Sequence, residues 1–198
     1  MVTAYIYIEG DSETESGCRK SFRKLLENAG FKGKMPRLVA SGGRHATFDD
    51  FQTKLKHAKA GDFVAMLVDS EDPIANPEKT WEHLKKRPDD NWDRPKGASD
   101  DQVLLMTTCM ESWIAADRET LKNHYGAKLQ ESVLPPLHNL ENRHRHDVQD
   151  KLAHATRNCS NAYAKGKRSF EVLALLDPTA LENLSSFARM VRILKEKL

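Results

Sequence analysis

The ten residues "MLVDSEDPIA", Met66 to Ala75, join an apolar run, "FVAMLV" (63–68), to three acids, Asp69, Glu71 and Asp72, with only Ser70 between them. The run reads as a β-strand. Packing gives no reason to crowd three carboxylates at its end. Like charges this close repel, and each raises its neighbour's pKa unless a cation or hydrogen-bond donors intervene. The stretch therefore asks for something positive between its acids.

Before the strand, "TAYIYIE" (3–9) reads as a first strand. A helix from about Glu15 to Asn28 follows, with Phe22, Leu25 and Leu26 inward and Gly30 as its stop. "PRLVAS" (36–41) is a second strand running into "SGGR" (41–44). A helix is expected to open at Thr47, with Asp50 at capping-box spacing, and to carry Phe48, Phe51 and Leu55 as far as Gly61. Strands joined by helical crossovers imply an α/β fold of Rossmann type, a mostly parallel sheet with helices on its faces.

After the strand, residues 70–101 hold four prolines and read as a long loop with a short helix near Pro77 to Lys86. "VLLMTTC" (103–109) is a fourth strand, and "MESWIAADRETLKNHYG" (110–126) one helix closed by Gly126. The last third is helical, at about 147–158, 170–176 and a final helix. That last helix has Asp177 as N-cap, Pro178 at its first position and a stripe of Leu181, Leu184, Met190, Val191 and Leu194. The expected organisation is an α/β core, 1–126, with a helical extension, 127–198, packed on it.

The 198 residues are 39% apolar and 30% charged with a net charge of +2, which excludes a disordered chain and a uniformly basic nucleic-acid coat. Cys18, Cys109 and Cys159 are too few and too far apart for a disulfide framework or a zinc knuckle. With no basic leader, and no run near the roughly 18 apolar residues of a membrane span, a cytoplasmic protein is expected.

In parallel α/β sheets, ligands bind outside the carboxyl ends of the strands, at the switch in strand order. Three acidic features reach that edge. Glu9, Asp11 and Glu13 follow the first strand, Asp69, Glu71 and Asp72 the third, and Glu111 opens the helix after the fourth. Carboxylates converging from separate elements are the oxygen environment of Mg²⁺ or Mn²⁺, which would relieve the repulsion. Each acid also has a plainer role available: Asp11 or Glu13 as helix caps, Glu111 as an acid favoured by the helix dipole. Gly42, Gly43 and Arg44 suit a phosphate contact or, equally, a tight turn. Arg143 in "NRHRHD" and Lys165, Lys167 and Arg168 in "KGKR" suit a nucleic-acid backbone or a solvated helical face. His144 and His146, two apart on a helix, diverge and suggest no zinc site. Trp81, Trp92 and Trp113 read as packing residues.

Taken together, "IYIEGDSETESGCRKSFRKLL", "ASGGR", "LVDSED", "GASDDQVLLMTTCMESWIAAD" and "YAKGKRSFEVLALLDP" resemble the bacterial domain-of-unknown-function family numbered 4276 over nearly the whole chain. That family is similar to the Toprim superfamily of topoisomerases, primases and nucleases. It looks most like the small Toprim proteins encoded beside ABC- or AAA-type ATPases in phage-defence and mobile-element settings. The resemblance implies a Mg²⁺- or Mn²⁺-dependent nuclease acting on DNA or RNA with a separate ATPase partner. Glu9 would be metal ligand or general acid/base, Glu13 the second acid, and Asp69 with Glu71 or Asp72 the D-x-D pair. Glu111 would be the later acid, and Lys165 would steady charge on phosphorus. The chain departs from the pattern in reading D-S-E-D, and it lacks an identifiable nucleophilic tyrosine, zinc-ribbon cysteines and a Walker P-loop. Two other classes stay open: a non-catalytic docking subunit of an ATPase, and a phosphoacceptor receiver domain, for which no fifth strand ending in lysine is evident.

Overall fold

An apolar run with no alternation cannot leave one face in water, and β3 (Phe63–Asp69) does not: Phe63 to Val68 are all buried. The computed structural model describes residues 3–10 and 15–198. β3 lies beside β1 (Ala4–Ile8) in a four-stranded parallel sheet of order β2-β1-β3-β4, with β2 (Arg37–Ala40) and β4 (Val103–Met106) outside. In register, Ile8 faces Ala40 on one side and Leu67 on the other, and Asp69 faces Met106. The chain steps from β1 outward to β2, then back across β1 to β3. The strand order therefore reverses between β1 and β3, whose ends carry Glu9 and Asp69.

β1 alternates. Ala4, Ile6 and Ile8 are buried in one cluster, while Tyr5 and Tyr7 pack against another. On the first face lie α1 (Glu15–Leu26) and the C-terminal helices, with Phe22, Trp113, Val148, Phe170 and Phe187 joined in a single cluster with Ile6. On the second lie α2 (Arg44–Lys56) and α3 (Thr80–Lys86), where Trp92 stacks on Phe48 with ring centroids 4.2 Å apart. The chain is thus a parallel α/β fold of Rossmann type, covered on both faces. All three tryptophans are buried.

α2 stops at Lys56, short of Gly61, and β4 at Met106, short of Cys109; at four further boundaries a tertiary partner or local turn overrides periodicity. Past Leu26, α1 widens into a turn over Glu27–Phe31 that ends through Gly30 at φ 94°. α2 opens at Arg44, straight out of Gly42 at φ 88°, with Gly43 as N-cap. Thr47 is therefore inside the helix, its hydroxyl donating to the Gly43 carbonyl at 3.1 Å, and caps nothing. The expected single helix 110–126 is two, α4 (Met110–Ala116) and α5 (Arg118–Tyr125). Asp117 divides them because its carboxylate accepts from the Thr120 N–H at 2.9 Å and, through its other oxygen, from the Asp177 N–H at 2.8 Å. After α6 (Arg145–Thr156) and α7 (Lys167–Leu173), the final helix is also divided, into α8 (Pro178–Leu181) and α9 (Ser185–Lys197). Asp177 caps α8 as expected. The Glu141 carboxylate caps α9 from outside, accepting from the N–H groups of Ser185 and Ser186 at 2.7 and 3.0 Å.

Candidate active site

At the reversal between β1 and β3 a cleft of about 660 Å³ is lined by Glu9, Asp69, Glu111 and Lys165, with Gly42 and Gly43 on its wall. Each acid arrives on a rigid element. Glu9 directly follows β1 and its N–H donates to the Leu67 carbonyl at 3.1 Å, which extends the sheet by one residue. Gly10 then pairs with Gly42, its N–H donating to that carbonyl at 2.7 Å. A side chain at Gly10 would stand 2.7 Å from the Cys18 sulfur, so glycine is required by close approach. Asp69 closes β3, and its Oδ1 accepts from the Met110 N–H at 2.9 Å, binding the start of α4 to the strand end. Glu111, in the first turn of α4, is 1% exposed.

The electrostatics are those of crowded acids. Burial first, then Glu111 and Glu9, push the Asp69 carboxyl well above its usual range, against a smaller lowering by Lys165 and the Met110 N–H. Burial, followed by Glu111 and Asp69, likewise pushes the Cys109 thiol far up, so it stays protonated and is no nucleophile. Among the described residues, no three carboxylate, imidazole or thiolate side chains already form a metal-ligand cluster. The donor set is nonetheless the hard-oxygen kind that suits Mg²⁺ or Mn²⁺, and such sites commonly use one or two carboxylates with waters and substrate phosphates completing the shell.

The other sequence candidates separate. Glu71 sits at φ 67° and forms an ion pair with Arg145 at the start of α6, and Asp72 pairs with Arg87; neither lines the cleft. Asp11 and Glu13 lie outside the described residues. Arg44 is held inside the protein. Its Nε and Nη2 grip both Asp90 oxygens at 2.6 and 2.7 Å, and its Nη1 reaches the Asp69 carbonyl at 2.7 Å and Glu9 at 3.3 Å. Gly42, Gly43, Lys165 and Lys167 line the cleft; Arg168 donates instead to the Ala162 carbonyl at 2.7 Å, and Arg143 pairs with Asp147 at 3.3 Å.

Sequence reading missed the groups that hold Glu111. The Tyr163 hydroxyl donates to its Oε1 at 2.6 Å and the Gln149 amide to its Oε2 at 3.1 Å. Burial, then Glu111, drives the Tyr163 phenol far up, which keeps it a donor. The only signal was position: Tyr163 stands two residues before Lys165 in a segment already singled out. Asp90 was also missed, in a tract that reads as loop by composition.

Among the described residues no helix is long and apolar enough to cross a membrane. No curated protein and no solved structure matches the chain. Its whole length but the two ends matches one family, a domain of unknown function (DUF4276), over residues 8–195, and the chain belongs to that family.

Proposed function

We propose that the chain is a Mg²⁺- or Mn²⁺-dependent nuclease that hydrolyses phosphodiester bonds. One observation carries this reading: Glu9, Asp69 and Glu111, from three separate elements, line one cleft together with Lys165. The resemblance of its motifs to Toprim nucleases agrees with it. Glu9, Asp69 and Glu111 would hold the ion, Asp69 from the strand end that α4 fixes. A divalent cation there supplies Lewis-acid polarisation of a phosphoryl oxygen and lowers the pKa of water. Lys165 faces the same space and would steady the developing charge on phosphorus. Gly42 and Gly43 present backbone without side chains, so a phosphate can approach the wall closely. Arg44 acts behind this surface, holding the Asp69 carbonyl and Glu9 in place. Arg143 and Lys167 are candidates for further backbone contacts, and a separate ABC- or AAA-type ATPase is the proposed partner.

The test is calorimetric titration of Mn²⁺ and Mg²⁺ into wild type and Asp69→Asn, followed by cleavage assays on single- and double-stranded DNA and RNA, with and without the ATPase. Binding that is lost in the variant, and cleavage lowered on the order of 10²-fold or more in Glu9→Gln, Asp69→Asn and Glu111→Gln, supports the reading. No binding and no cleavage by folded wild type refutes it.

A second reading, a non-catalytic docking subunit, draws on the ion pair of Glu9 with Arg44 and the hydrogen bonds that already occupy Glu111. It requires the carboxylate variants to keep full activity in complex with the ATPase.

A further inference from the structure

We infer that Tyr163, with Gln149, is a positioning residue that fixes the Glu111 carboxylate for metal binding and ties it to the loop carrying Lys165. The inference rests on the metal-dependent reading above. Glu111 is buried at the start of α4, a helix of only two turns. Two donors from other parts of the chain hold its carboxylate, one at each oxygen: Gln149 from α6 at 3.1 Å and Tyr163 at 2.6 Å. A carboxylate gripped at both oxygens keeps one orientation and still has lone pairs for a cation.

Tyr163 is itself anchored. Its N–H donates to the Thr156 hydroxyl at 2.9 Å at the end of α6. Next to it, Arg168 holds the Ala162 carbonyl at 2.7 Å, and the Ser169 N–H holds the Ala164 carbonyl at 3.2 Å. Two and three residues further on, Lys165 and Gly166 line the cleft. The phenol is therefore a strut between the ion's proposed ligand and the proposed phosphate-facing lysine. Loss of the hydroxyl alone releases one carboxylate oxygen, leaves the other to Gln149, and loosens the lysine loop, with little loss of packing. Groups that orient metal ligands from behind are typically worth about 10–100-fold in metal affinity.

The test is Mn²⁺ binding, by calorimetry and by the Mn²⁺ electron paramagnetic resonance signal, to full-length wild type, Tyr163→Phe, Gln149→Ala and Tyr125→Phe. Tyr125 is a buried tyrosine whose hydroxyl has no hydrogen-bond partner among the described residues, so its variant controls for disturbance of the surrounding core. The expected result is affinity weakened about tenfold or more in Tyr163→Phe, weakened also in Gln149→Ala, and unchanged in Tyr125→Phe. Gln149→Ala decides the matter if Tyr163→Phe does not fold. Wild-type affinity in the folded Tyr163 and Gln149 variants overturns the inference and leaves the metal reading standing. Equal losses in the Tyr125 and Tyr163 variants overturn it as a packing effect. Absence of Mn²⁺ binding to wild type overturns the metal reading and this inference with it.

Discussion

Arg44→Met separates the phosphate-contact role that the "SGGR" loop suggests from the internal role the fold gives this arginine. The Arg44 side chain is 13% exposed and the Asp90 side chain not at all, and their two-point pairing is backed by the Trp92 ring, 5.2 Å from the guanidinium carbon. Removing one member of a buried pair strands the other charge, at a cost of about 3–5 kcal/mol. Here Arg87 still reaches Asp90 at 2.8 Å, so about 3 kcal/mol is expected at pH 7. Burial alone would raise the Asp90 carboxyl, yet the Arg44 hydrogen bonds and the charges of Arg44 and Arg87 outweigh it and hold the group below its usual range. A folded-state pKa below the unfolded one contributes stability above the unfolded value of about 3.9 and loses it as pH falls through the folded value. The deficit of Arg44→Met should therefore shrink in acid. Urea unfolding at pH 7 and at stepwise lower pH reads this, with Arg37→Met, an exposed change expected within about 0.5 kcal/mol of wild type, as control. An Arg44→Met midpoint equal to that control, with nucleic-acid affinity alone reduced, would refute the internal role and restore the phosphate contact.

Asp69 titrates in the opposite sense. Burial and the neighbouring acids raise its carboxyl, so ionising it destabilises the fold as pH climbs from about 4 toward the folded-state value. In chelator-treated protein, Asp69→Asn should match or exceed wild-type thermal stability at pH 7 and lose that advantage below about pH 4, which melting curves across pH will show. Asp117→Ala should cost about 1–2 kcal/mol in denaturant unfolding, because it uncaps α5 and leaves the Asp177 N–H without its acceptor. Trp113→Ala, which empties the fully buried site against Phe187 and orphans the Ser186 hydroxyl, should cost about 3–5 kcal/mol in the same assay.

The sheet was legible because β3 announces itself: six successive apolar residues, too few for a buried helix and bounded by Gly61 and by acids, read as an interior strand, and the helical crossovers on either side make it parallel. The edge where Glu9, Asp69 and Glu111 meet followed from that topology. What failed is whatever depends on a distant partner. "WIAADRETLKNHY" keeps helical periodicity throughout, and the chain breaks at Asp117 because its carboxylate both caps the Thr120 N–H and accepts from the Asp177 N–H, sixty positions on. Glu71 and Asp72 were indistinguishable from Asp69 by type and spacing. Their removal from the cleft depends on a left-handed turn at Glu71 and on the places of Arg145 and Arg87. Thr47 and Asp50 had the spacing of a cap, but the preceding glycine turn starts the helix earlier and leaves no N-terminus there to cap.

The state of Asp69 bears most directly on whether the cleft does chemistry. A purely structural explanation exists: Oδ1 accepts the first N–H of α4 and joins that helix to the sheet. Asparagine would present the same Oδ1 acceptor without a charge. Aspartate at this position instead carries desolvation and the repulsion of two further acids, Glu111 and Glu9. A capping role does not require those neighbours, and Glu111 is held in place at both oxygens by Gln149 and Tyr163. An anionic centre fixed at such cost, facing a cleft with a lysine in it, has a physical reason to persist if a cation relieves it when bound. Arg44 leaves this problem in place: two of its nitrogens are committed to Asp90 at 2.6 and 2.7 Å, and the third reaches Glu9 at 3.3 Å and Asp69 at 2.7 Å through the backbone carbonyl rather than the carboxylate, so the Asp69 charge is left for something else to relieve.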